Sequence, residues 1–169
     1  MLRRFLLVSA FLAAVPPLLR AEDYKFTALF VMNFAKYVDW PAEVASGDFV
    51  ITVVGNDPII DELKTIAEKT TIGAQKLVIR KAESVDQIEP SRIVYISPGK
   101  SAQLSNALAK FASGVLVVTN GKGLAEQGAA INLVEIDGKQ RYEINTDGFK
   151  KSGLGAKPVL FKLGKVLGS

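Results

Sequence analysis

The segment Phe49-Val-Ile-Thr-Val-Val54 constrains the fold more than any other part of this sequence. It is rich in β-branched residues and has no polar alternation, so the strand it forms must be covered on both faces. Such a strand belongs in a parallel sheet between layers of helix, and the residues that follow agree. Gly55-Asn-Asp-Pro58 makes a turn in which Asp57 can cap a helix and Pro58 can take its first position. Ile59, Ile60, Leu63, Ile66 and Ala67 then recur on one side of that helix, while Asp61, Glu62, Lys64, Glu68 and Lys69 face water.

The same rhythm continues along the chain. Residues 76–80, 92–96 and 115–119 read as strands, and residues 102–111 as a helix with Leu104, Ala107, Leu108 and Phe111 on one face. The pattern then changes. Residues 130–136 and 139–145 are strand-like runs joined by Asp137-Gly138, the signature of a two-residue type I′ hairpin. That turn pairs Val134 with Arg141, Asn132 with Glu143 and Ala130 with Asn145. Residues 147–152 suggest a short helix and 157–167 a terminal one, with Val159, Leu160, Leu163, Val166 and Leu167 inward. The expectation is an α/β domain: a mainly parallel sheet flanked by helices on both faces and closed by a C-terminal antiparallel hairpin.

Residues 1–21 have the layout of a secretory signal peptide, with Arg3 and Arg4 ahead of an apolar run and Ala21 at a plausible cleavage point. The run is shorter than the roughly 20 residues of a membrane span and carries Pro16 and Pro17. Residues 22–169 are then expected to form one domain that works outside the cytoplasm. Three of the 21 basic residues lie in the leader and all 17 acidic ones beyond it, so the remainder is nearly neutral and nucleic-acid binding is set aside. The chain contains neither Cys nor His, which excludes disulfides, Cys or His nucleophilic catalysis and Cys/His metal sites. No cofactor or metal is expected. Pro98-Gly-Lys-Ser101 imitates the end of a phosphate-binding loop, but the glycine that pattern needs is Val94.

Three places offer binding groups. Residues 24–38 form a helix that is apolar almost all round, for Lys25, Asn33 and Lys36 occupy a polar stripe only about 80° wide. Either the domain buries the surplus or a second polypeptide covers it, with Asn33, Lys36 and Tyr37 at the contact. Trp40, where the helix stops at Pro41, either seals that end or anchors a partner. Asn56 and Asp57 stand at the carboxyl end of a strand, where open α/β sheets hold small ligands, so a small-molecule sensor or carrier is the alternative reading. The hairpin, finally, aligns Asn132, Arg141, Glu143 and Asn145 on one face, to meet a ligand, a partner or water.

The segment Asn33-Phe-Ala-Lys-Tyr-Val-Asp-Trp-Pro41 and the junction Val53-Val-Gly-Asn-Asp-Pro58 have companions further along. These are Val115-Leu-Val-Val-Thr119, Gly128-Ala-Ala-Ile-Asn-Leu133, Arg141-Tyr-Glu-Ile-Asn145 and Gly153-Leu154. In that order they resemble the YfiR family from Tyr24 to Val166. The resemblance implies a periplasmic, non-enzymatic, dimeric α/β protein that binds, and represses, an inner-membrane signalling protein. The expected partner is the periplasmic sensor domain of a diguanylate cyclase or a histidine kinase. Two departures stand out: an expected glycine pair is Gly128-Ala129, and the cysteines of redox-responsive members are missing.

Overall fold

The computed structural model describes residues 17–42 and 46–168. Most of the expected signal segment, residues 1–16, lies outside the described residues. Helix α1 (Pro17–Tyr37) leads directly into a two-residue strand, β1 (Val38–Asp39). Among the described residues no helix is long and apolar enough to cross a membrane.

The predicted central strand is β2 (Phe49–Val54), buried at all six positions. Asp57 accepts the Ile59 amide N–H at 3.1 Å and so starts helix α2 (Ile59–Ala67) as expected. A short hairpin of β3 (Thr71–Ile72) and β4 (Gln75–Ala82) follows, then β5 (Ile93–Ile96). The expected helix at 102–111 is shorter: Pro98–Gln103 wind as a 3₁₀ turn before α3 (Leu104–Lys110) begins. Strand β6 (Leu116–Asn120) leads to the hairpin of β7 (Ile131–Ile136) and β8 (Lys139–Asn145). The chain ends with α4 (Thr146–Ser152), β9 (Gly155–Ala156), α5 (Pro158–Leu163) and β10 (Lys165–Leu167).

Eight strands form one mixed sheet in the order β10-β8-β7-β6-β5-β2-β4-β3. Five of its seven ladders are parallel; β7 with β8 and β3 with β4 are antiparallel. The hairpin has the register its turn dictates, Val134 opposite Arg141 and Asn132 opposite Glu143. Asp137 and Gly138 adopt the positive φ of 52° and 69° that a type I′ turn requires.

Two expectations about the C-terminus are corrected. The helix predicted for 157–167 stops at Leu163, because Gly164 is extended and abuts the Tyr142 ring where a Cβ would collide. Lys165–Leu167 then pair in parallel with β8, so β10 and not the hairpin closes the sheet. Of the residues expected to point inward there, only Leu160 is buried; Val159, Leu163 and Val166 are exposed.

Side chains alternate between two cores. Phe49, Ile51, Val53, Ile93, Tyr95, Leu116, Val118, Ile131 and Leu133 meet α1, α2 and α5 on one face. Val54, Val94, Ile96 and Val117 meet α3 and the loops of the other.

Candidate functional site

The outer surface of α1 follows from how its inner surface is used. Ala28, Val31, Phe34, Ala35 and Val38 are buried, as the helix packs on α2, β8 and α5. Phe30 and Phe34 both meet the Tyr142 ring edge-on, at 5.4 and 5.1 Å, and Tyr142 donates its hydroxyl to the Leu160 carbonyl at 2.8 Å. With that core complete, Phe26 remains 52% exposed and Leu29 43%. Spacings of three, four and four place Phe26, Leu29, Asn33 and Tyr37 along one stripe. Asn33, Lys36 and Tyr37 are exposed there as well. Helix α5, which touches α1, exposes Val159 and Leu163 of its own. The surplus apolar surface read from the sequence is therefore real and faces outward.

Trp40 does something different. Its indole N–H donates to the Ala35 carbonyl at 2.9 Å, satisfying a group that the end of α1 would leave orphaned. The ring lies edge-on to Phe49 at 5.2 Å. Beside it, β1 pairs with β9, and the Lys157 amide donates to the Tyr37 carbonyl at 2.8 Å.

The carboxyl ends of β2 and β5 form the point at which strand order reverses, since β4 and β5 lie on opposite sides of β2. Asn56 is exposed there, whereas Asp57 is buried and engaged in its cap. The approach is narrow there. Gly55 sits at φ +100°, and a Cβ on it would meet Lys100 Cγ at 2.8 Å and Ser97 Oγ at 3.4 Å. Beneath it Tyr95 accepts a hydrogen bond from Asn120 Nδ2 at 3.3 Å. Burial pushes the Tyr95 phenol well above its usual range, with the Asp57 charge adding to the effect.

The polar face of the hairpin turns inward. Thr119 donates its hydroxyl to Asn132 Oδ1 at 2.8 Å, and Asn132 Nδ2 donates to the Gly121 carbonyl at 2.7 Å and to Glu143 Oε2 at 3.1 Å. Lys165 reaches Glu143 Oε1 at 3.5 Å. Asn145 accepts the Gly148 amide at 3.0 Å and donates to the Ala125 carbonyl at 2.6 Å. Asn132 and Glu143 are buried under the 121–129 loop while Arg141 is exposed, so the four aligned residues do not form one open surface.

Sequence reasoning missed Thr119 as a member of this layer, and it missed the pair Thr52 and Ser91, whose hydroxyls lie 2.7 Å apart. The available signal was a hydroxyl inside an otherwise aliphatic strand.

A comparison with curated proteins returned no match. The family description YfiR/HmsC-like, by contrast, fits residues 24–165, nearly everything from α1 to the start of β10. The chain therefore belongs to the YfiR/HmsC-like family, whose proteins are periplasmic regulators of diguanylate cyclases rather than enzymes.

Proposed function

We propose that this protein is exported by a cleaved leader ending near Ala21 and represses an inner-membrane signalling protein by binding its periplasmic sensor domain through the outer face of α1. The single observation that carries the reading is the stripe of Phe26, Leu29 and Tyr37, left exposed on a helix whose other side fills the main core. Large apolar groups at the centre of a contact, ringed by polar ones such as Asn33 and Lys36, are what protein interfaces use as anchors. A diguanylate cyclase is the favoured partner because it is what proteins of this family regulate.

The test is crosslinking in intact envelopes followed by co-purification, with Phe26→Ser/Leu29→Ser beside the wild type. The expected result is capture of an inner-membrane cyclase or kinase by the wild type, loss of that capture in the variant, and a raised cyclic di-GMP level on deletion. Capture that survives the double substitution would remove α1 as the contact. Recovery of the protein only as a complex of its own copies, with no receptor, would replace the receptor by a homodimer.

A further inference from the structure

On the face opposite α1 and α2, the β2–β4 pair is covered by residues 83–92, which include a single 3₁₀ turn, and not by a full helix. A cleft of about 420 Å³ opens there, walled by Val50 and Pro90 and carrying four charges: Asp48, Arg80, Glu89 and Arg92. Arg92 is the unusual member. Its backbone is fixed on both sides, its amide donating to the Val50 carbonyl at 2.8 Å and its carbonyl accepting from Leu116 at 2.9 Å. Among the described residues its Nε is nonetheless buried with no hydrogen-bond partner and its guanidinium joins no ion pair. A guanidinium has five donors in a planar fork that suits a carboxylate, and a buried donor left unmatched carries a desolvation cost.

Across the cleft Arg80 already holds a carboxylate, that of Glu89, at 2.7 Å. Both partners are open to solvent, so the pair contributes little and Glu89 is a displaceable occupant. Asp48 is exposed at the rim, where salt screens its repulsion.

We propose that this cleft binds a small organic acid, its carboxylate gripped by the two terminal Nη groups of Arg92 and a second acidic group taken by Arg80 as Glu89 swings away. The site lies apart from α1, so it goes beyond the partner reading and stands or falls without it. The experiment is thermal unfolding and calorimetric titration of the purified protein with succinate, acetate and inorganic phosphate. Succinate, with two acidic groups, is expected to raise the midpoint saturably, and acetate and phosphate, with one each, to do so more weakly. Arg92→Gln should weaken succinate binding about tenfold or more, Arg92→Lys should weaken it less, and Glu89→Gln should strengthen it by removing the internal competitor. No saturable shift in either the wild type or Glu89→Gln would overturn the proposal. So would a shift that persists in folded Arg92→Gln, or one that phosphate reproduces in full.

Discussion

The two faces of the sheet are made by alternate residues of the same strands, yet they are closed by different means. One face is sealed by α1, α2 and α5 through a continuous apolar cluster with an aromatic knot at Phe30, Phe34 and Tyr142. The other is covered by one short helix and by loops, and part of its closure is a hydrogen-bonded layer of Thr119, Asn132 and Glu143. The lesson is a division of labour. The helical face buries the larger apolar cluster and leaves apolar surface outside α1. The loop face buries a second, smaller apolar cluster and adds a hydrogen-bonded layer and a charged cleft.

The sharpest way to break this contrast is Phe34→Ala, which empties a fully buried position of the helical face. A loss of about 3–5 kcal/mol is expected in urea or thermal unfolding. On the loop face, Asn132→Ala should cost less, about 1–3 kcal/mol, by stranding the Thr119 hydroxyl, the Gly121 carbonyl and a Glu143 oxygen together. A cost as large as that of Phe34→Ala would mean that the polar layer, too, is a main source of stability.

A third expectation concerns alkali. Tyr95 is a neutral phenol whose folded pKa is raised above its unfolded value near 10, so the native state keeps a proton that the unfolded state releases. Its contribution is intact below pH 10 and is lost progressively above it, with a slope approaching about 1.4 kcal/mol per pH unit. Tyr142 is shifted the same way by burial. Unfolding midpoints measured from pH 8 to 11 should fall less steeply for Tyr95→Phe than for the wild type. The smallest effect belongs to Phe26→Ser on the outer stripe, within about 0.5 kcal/mol in the isolated protein. A loss above 1 kcal/mol would show that this ring belongs to the fold and not to an interface.

Local chemistry made much of the architecture legible in advance. The run at β2 demanded burial on both sides, Asp57 announced α2, and the Asp137-Gly138 turn fixed the hairpin register residue by residue. What escaped prediction depended on distant partners. The helix expected over 157–167 ran through Gly164, and the Tyr142 ring that occupies the space beside that glycine is brought there only by the fold. A period-two pattern put Asn132 and Glu143 on one face but could not say that the 121–129 loop would bury them. Helical periodicity likewise announced an apolar surplus on α1, while the choice of Phe26 and Leu29 as its exposed part was made by the packing of Phe30 and Phe34 on β8. Arg92 carried no signal at all, for its isolation arises from what does not approach it.

The carboxyl end of α1 is riveted three times: by the Trp40 indole on Ala35, by the ladder of β1 with β9, and by the Lys157 amide on Tyr37. A partner that held the helix would therefore take hold of the entire domain as a stiff handle. Two of the three rivets depend on residues 155–157, so the stiffness of that handle is set in part by residues far along the chain from the helix itself.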